Sequence, residues 1–345
     1  VLNQVSELSE LTNYLDKNRS KLCAGFFSYD LGLALVGVTS KHKQQFPLAV
    51  FHAYERWEEF ENMGPKEGGV SDNVWRPDSA ISFTSSLTQK SYRRSISTIQ
   101  DYIRAGDFYQ LNYTQQLVGS SKNPVSYAAL LEKHPAAYAC SMEHNDLKIH
   151  SLSPELFLHH SEGVLTTEPI KGTRPRGATQ KEDDARKQEL MSSEKEQAEL
   201  FMITDLLRND LGKVSEVGSI SLEAVKAIRK LSKVWHTYSR ISGRLKQDLH
   251  PVQALLSMLP GGSITGCPKK HAVEIIDELE IASRGIYTGS MGYFHPDGDF
   301  SFNIAIRTLV QHGEVLSLGS GGGITIDSAW QDEWDELMIK AATFL

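Results

Sequence analysis

The sequence predicts an α+β fold with large, mostly antiparallel sheets. Short β-rich apolar runs recur along the chain, a few long segments carry helical periodicity with caps, and the two kinds do not alternate as regular βαβ units.

Taken in order, Gly25–Val38 (GFFSYDLGLALVGV) reads as strand, turn and strand about Ser28, Tyr29 and Asp30. Residues 61–79 are rich in Gly, Pro, Asp and Ser, which marks an exposed excursion and the best internal boundary. Thr88 predicts a helix cap; Tyr92, Ile96, Ile99 and Ile103 recur at helical spacing, and Gly106 stops the helix. Strands are expected at 108–118, 138–142, 147–152, 156–159 and 164–167. Ser193 and Glu196 predict a capping box for a helix reaching Gly212, with Leu200, Ile203 and Leu207 as its apolar stripe. Further strands are expected at 233–241, 285–294, 299–309 and 315–319. Between the first two of these, PGGSITGCPKK (260–270) is a glycine-rich turn opening a helix at 271–279, with Pro268 suited to its first turn. Asp327 or Ser328 can cap a final helix whose Trp330, Trp334, Leu337 and Ala341 face the core.

With 345 residues, 40% hydrophobic and 23% charged, the composition is that of a soluble globular protein of one large or two moderate domains. A formal charge of −7, from 36 Lys and Arg against 43 Asp and Glu, disfavours a general role on nucleic acid or an anionic membrane. It leaves room for a local pocket that binds a small anion. Cys23, Cys140 and Cys267 form no C-x-x-C spacing, which suits three reduced thiols in a cytoplasm. No stretch approaches the roughly 18 consecutive apolar residues of a membrane span. The opening VLNQVSELSE lacks a signal-peptide layout, and the missing initial methionine leaves open what preceded Val1.

Several patterns bear on chemistry. Glu196 and Glu199 share one helix face at i, i+3, and Glu333 and Glu336 repeat the spacing near the end of the chain. Either pair alone is commonly a solvated face; together, two such helices would surround one hard divalent cation such as Mg²⁺. The run LSLGSGGGITI (316–326) follows a strand with four glycines among residues 319–323, either exposing N–H groups to an anion or marking a tight turn. Arg307, in FNIAIRTLV, needs an anionic partner if it points inward and none at a sheet edge. His236, in KVWHTYSRIS, belongs to no metal spacing. EPIKGTRPRG (168–177) sets Lys171, Arg174 and Arg176 within six residues, as a solvated basic loop or the floor of an anion pocket. The sequence has no Gly-x-Ser-x-Gly elbow, so covalent hydrolase chemistry has no support.

These segments, with GDFYQLNYTQQ (106–116), SLSPELF (151–157), GIYTGSMGYF (285–294) and IAIRTL (304–309), closely resemble the chorismate-utilising enzymes, in family order. The resemblance implies two large, mostly antiparallel β-sheets packed together with helices outside, and an active site between them. It makes residues 1–80 the remnant of a longer N-terminal region packed on the core, and 81–345 the chorismate-binding catalytic domain. It sets Glu196 and Glu199 opposite Glu333 and Glu336 around Mg²⁺, which binds the ring carboxylate of chorismate. The enolpyruvyl carboxylate falls to Arg307, Tyr287 and the backbone at Gly321, Gly322 and Gly323, with Ser263, Thr265 and Thr173 nearby. Lys340 joins the substrate-binding set, and His236 lies close to the ring.

Family members that add water place a lysine where Gln110 stands; glutamine is no base at neutral pH, which points to an amine as the net nucleophile. Lys171 in Pro-Ile-Lys-Gly-Thr, where anthranilate synthases typically read alanine, resembles the aminodeoxychorismate branch. There the neutral amine is implied to attack C2 while the C4 hydroxyl leaves, and ammonia then adds at C4 and expels the lysine. Arg174, Arg176 and Mg²⁺ would lower the Lys171 pKa from about 10.4, and Glu155 would be the general acid, kept protonated by its pocket. Nothing in the chain resembles a glutaminase, so the resemblance implies a glutamine amidotransferase subunit that delivers ammonia, in a pathway to 4-aminobenzoate and folate. The alternatives are anthranilate synthase component I and a catalytically silent subunit that binds the amidotransferase.

Overall fold

The computed structural model of the chain describes residues 1–59, 82–231 and 234–342. The excursion expected at 61–79 lies outside the described residues.

Helix α1 (Leu8–Lys17) precedes strand β1 (Leu22–Phe27), helix α2 (Tyr29–Leu35) and strand β2 (Ala49–Tyr54). The short β3 (Thr84–Ser85), α3 (Gln89–Ala105), β4 (Leu111–Ser120) and α4 (Tyr127–Lys133) follow. Next come β5 (Tyr138–His144), β6 (Leu147–Ser153), β7 (Leu156–Ser161), β8 (Val164–Glu168) and β9 (Ile170–Pro175), then α5 (Gln180–Ser192) and α6 (Glu194–Val214). Strands β10 (Ser221–Lys230) and β11 (Val234–Arg244) lead to α7 (Pro251–Met258) and α8 (Lys269–Leu279). The chain closes with β12 (Ser290–Phe294), β13 (Phe300–Ile304), β14 (Thr308–His312), β15 (Val315–Ile324) and α9 (Trp330–Ala342).

The strands pair antiparallel in two sheets. The larger runs β10-β11-β8-β7-β13-β12-β1-β2, with β9 also paired to β11; the smaller runs β3-β4-β15-β14-β6-β5. Successive strand residues point to opposite faces, and burial follows that alternation. On β1, Phe26 packs with Val50, Ile149, Met291 and Val310 between the sheets, whereas Phe27 joins Phe51, Phe300, Phe302 and the helices outside. Helices α4 and α9 cover the smaller sheet through Leu130 and Ala341 against Leu316 and Leu318. The expected architecture of two antiparallel sheets with helices outside is the one observed. Among the described residues no helix is long and apolar enough to cross a membrane.

Several elements differ from expectation. The second strand of Gly25–Val38 is helix α2: Ser28 Oγ accepts the Leu31 N–H at 3.2 Å, and Leu31, Gly32 and Leu33 are all buried. Residues 285–289 form a turn before β12, with Thr288 at φ +59. The single strand expected over 299–309 is two, because the chain passes from the larger sheet (β13) to the smaller (β14) through Ala305–Arg307, with Arg307 at φ +48. A second crossing, at Pro154 and Glu155, joins β6 to β7. The crossings are bonded to each other, Leu152 N–H to the Arg307 carbonyl at 2.9 Å and Ile304 N–H to the Glu155 carbonyl at 3.1 Å. At the final helix, Ser328 donates to Glu333 Oε1 at 2.7 Å and so serves a side chain as well as the turn. Helix α3 has its expected Thr88 capping box and left-handed Gly106.

One buried ion pair ties the layers together. Arg284 and Glu280, 3% and 5% exposed, meet through Nη2–Oε1 at 2.7 Å and Nε–Oε2 at 2.9 Å. Arg284 also donates to the carbonyls of Ile264 (2.8 Å) and Asn112 (2.7 Å), and Glu280 accepts from the Thr114 N–H (2.8 Å). Arg284→Met strands the Glu280 charge in the interior and should lower stability by about 3–5 kcal/mol in urea unfolding. An unchanged midpoint would mean that the pair carries no structural burden.

Candidate active site

Lys171 lies on strand β9, not on a loop. The pairing with β11 sets it opposite Thr237 and sets Thr173 opposite His236. The approach to β9 is anchored by Glu168, 1% exposed, which accepts from Arg240 Nε (2.6 Å), Arg229 Nη2 (2.9 Å) and the Tyr138 hydroxyl (3.1 Å). Glycine beside Lys171 has two physical reasons: φ at Gly172 is +74, and a Cβ there would lie 2.6 Å from Glu196 Oε2. The two arginines that follow are neutralised locally. Arg174 pairs with Glu196 (2.7 Å) and Glu189 (2.8 Å), while Arg176 holds Asp183 at 2.7 and 2.6 Å and lies over the Trp235 ring. The Lys171 side chain forms no ion pair among the described residues, and it lies within electrostatic reach of Glu155, Glu199 and Glu336.

The two sheet crossings supply an acid and a cation. Glu155 is 6% exposed; burial pushes its carboxyl up to about 7, against the opposing pull of a Ser263 hydrogen bond and of Lys171. Ser263 sits in the one-turn 3₁₀ helix Gly262–Ile264. The guanidinium of Arg307 reaches solvent while protein surrounds it, and no carboxylate pairs with it among the described residues. Nearby His236 is buried, and burial drives its pKa down to about 4, with Arg307 and Arg229 acting in the same direction. Its Nδ1 lies 2.8 Å from Thr173 Oγ1 and 3.4 Å from the Gly172 carbonyl. A carbonyl only accepts, so that contact assigns the proton to Nδ1 and leaves Nε2 an acceptor.

The glycine run is strand: β15 pairs with β4 from Gly319↔Gln116 to Gly323↔Asn112, whereas its pairing with β14 ends at Leu318, so Gly319–Gly323 has a paired strand on one side only. Its glycines permit close packing. A Cβ at Gly319 would sit 2.1 Å from the Tyr287 ring, at Gly321 2.3 Å from the Tyr113 carbonyl, and at Gly323 1.9 Å from Gln110 Nε2. The opposite face meets α9, with Ser320 Oγ donating to the Leu337 carbonyl at 2.9 Å and Gly322 facing Glu333 and Lys340. Gln110 is 4% exposed and its Oε1 has no hydrogen-bond partner. Tyr287 is buried, which raises its hydroxyl pKa. Thr265 turns its hydroxyl onto the Gly261 carbonyl at 3.0 Å, within its own turn. Lys340 donates to the Gly321 carbonyl at 3.0 Å and pairs with Glu336 at 2.7 Å.

The two glutamate pairs approach one another. Glu199 lies within electrostatic reach of Glu336 and Glu196, and Glu333 within reach of Glu336. Burial raises the pKa of Glu199 and of Glu333; it pushes on Glu336 as well, but there Lys340, Lys195 and Lys171 together outweigh it. Among the described residues no three His, Cys, Asp or Glu side chains close into a metal cluster, and Arg174 and Lys340 each pair with one of the four carboxylates. Glu196 Oε2 is nonetheless buried without a partner. Buried negative charge with an unsatisfied carboxylate oxygen fits a hard divalent cation such as Mg²⁺.

Comparison with known proteins follows the same lines. The family profile described as chorismate binding enzyme matches residues 1–345. Aminodeoxychorismate synthase component 1 of Bacillus subtilis is 40% identical over 274 residues, 79% of this chain and 58% of that protein. An anthranilate synthase component 1 of Haloarcula marismortui is 42% identical over 273 residues, 79% of this chain and 56% of its own. The chain therefore spans a little over half the length of these relatives. The crystal structure of anthranilate synthase component I from Streptococcus pneumoniae matches with a TM-score of 0.80 at 28% identity, covering 93% of this chain and 80% of that one.

The raised carboxyl of Glu155 has a measurable consequence. Its folded-state pKa lies above the unfolded value of 4.5, so the chain loses stability as pH rises from there to about 7, by roughly 3 kcal/mol in all. Glu155→Gln removes that loss. The variant should match the wild type in urea unfolding near pH 4 and exceed it near pH 8; equal midpoints near pH 8 would refute the buried acid.

Proposed function

The chain belongs to the chorismate binding enzymes, and on that premise we propose that it acts as component I of an aminodeoxychorismate synthase, converting chorismate and ammonia into 4-amino-4-deoxychorismate and water. The supporting observation is Lys171, an amine without an ion-pair partner, within reach of Glu155, a buried carboxyl poised near neutrality.

In this reading the neutral amine of Lys171 forms a bond to C2 of the ring, the ring double bonds shift, and the C4–O bond breaks. Hydroxide is a poor leaving group, so Glu155 gives its proton to the departing oxygen and water leaves. Ammonia then adds at C4, the double bonds shift back, the C2–Nζ bond breaks to return its electron pair to Lys171, and the new C4 ammonium gives up the proton that restores Glu155. Arg307 attracts the enolpyruvyl carboxylate, with Tyr287, Ser263, Thr173, Thr265, Lys340 and the strand Gly321–Gly323 shaping the pocket. Neutral His236 offers Nε2 as an acceptor beside the ring. Glu196, Glu199, Glu333 and Glu336 would hold Mg²⁺, which when bound neutralises the ring carboxylate. Gln110, unable to act as a base, leaves water unactivated. Ammonia would be supplied unprotonated by a glutamine amidotransferase subunit.

Anthranilate synthase component I is the second reading, favoured by the 42% identity to the Haloarcula marismortui protein. Lys171 in the position where that branch typically carries alanine supports the first.

Incubated with chorismate, Mg²⁺ and an ammonium salt, the chain should give a product that a separate lyase converts to 4-aminobenzoate. Anthranilate formed without the lyase would decide for the second reading. Lys171→Ala should slow amination at least about a hundredfold. Mass spectrometry of the wild type mixed with chorismate but no ammonia should find an adduct on Lys171; a variant with undiminished turnover would remove the covalent step.

A further inference from the structure

Arg174 stands between two carboxylates. Its Nη1 donates to Glu196 Oε1 at 2.7 Å and to the Thr173 carbonyl at 3.0 Å, and its Nε donates to Glu189 Oε1 at 2.8 Å. The bond to Glu196 satisfies one oxygen and leaves the other, Oε2, buried without a partner. A half-satisfied buried carboxylate is a costly arrangement for Glu196. Arg174, by contrast, keeps two of its three contacts if it lets Glu196 go. Glu189 is 50% exposed against 19% for Glu196, so the retained partner is the one nearer solvent.

We infer that Arg174 is the resident counter-ion of Glu196 in the metal-free chain, and that a divalent cation binding there displaces it onto Glu189. This rests on the reading of the four glutamates as a Mg²⁺ site. The exchange replaces one cation by another beside Glu196, so the carboxylate is never left uncompensated. A guanidinium a few ångströms from a bound cation repels it, enough to weaken binding by about tenfold or more at the effective dielectric of a protein surface. Arg174 thereby stabilises the empty site and sets the concentration at which metal enters.

The test is calorimetric titration of the chelator-treated chain with Mg²⁺, together with thermal unfolding with and without the metal. Arg174→Gln should bind Mg²⁺ about tenfold more tightly and should unfold at a lower temperature than the wild type only when metal is absent. Arg174→Lys keeps the charge and should bind within about threefold of the wild type. Glu189→Gln, at a half-exposed position, removes the resting place and should weaken Mg²⁺ binding several-fold. That loss should vanish once Arg174 is also glutamine, because the effect runs through the guanidinium. Unchanged or weaker Mg²⁺ binding by Arg174→Gln, with wild-type binding intact, overturns the counter-ion role alone. Absence of Mg²⁺ binding in the wild type and in every variant overturns the metal site and this inference with it.

Discussion

The Arg284–Glu280 pair is the constraint on which the position of the site depends. Both groups are out of water, and an ion pair in that setting is tolerated only when its remaining donors and acceptors are satisfied. Satisfying them takes the carbonyl of Ile264, the carbonyl of Asn112 and the N–H and hydroxyl of Thr114. Ile264 lies between Ser263 and Thr265, and Asn112 is two residues past Gln110. The ring of Tyr29 completes the enclosure at 4.5 Å from the guanidinium carbon. One buried charge pair thus fixes the 262–264 turn against strand β4, and with them two walls of the pocket.

A second organising feature is local charge compensation. Of the cations in EPIKGTRPRG, Arg174 and Arg176 are bound to carboxylates on α5 and α6, while Arg229 and Arg240 share Glu168 just before β9. Of the three cations in that stretch, Lys171 alone is left without an ion-pair partner among the described residues. The strand that carries Lys171 is held in place by the Glu168 and Asp183 pairs, while the Arg174–Glu196 pair also reaches the glutamate cluster.

Much of this was legible in the sequence, and what was not has identifiable causes. Helix α3 was readable because its period, cap and stop agree. The glutamate pairs were readable as pairs, but the approach of α6 to α9 depends on contacts distant in sequence. The break at Arg307 was hidden because apolar residues continue through a strand that changes sheets. Helix α2 reads as strand because a short apolar run suits either state, and the buried Ser28 cap decides for helix. Helix α5 gave no apolar stripe to read, since it is held by ion pairs. The Glu168 group was invisible for a related reason: its members sit on four strands, and only the topology brings them together. The glycine run reads as a source of exposed amides, and the close approach of Tyr287 and Gln110 to it is a second use that only the packing shows.

The two sheet crossings also bear on how such a scaffold can change over evolutionary time. Each crossing peptide is bonded to the other, so an insertion or deletion in one would dislocate both, and with them Glu155 and Arg307 together. Their spacing is therefore closed to drift in length. Residues such as 110 and 171 sit on regular strands or beside them and can be exchanged without moving either crossing. A fold jointed in this way invites diversification by single side chains around an unchanging frame.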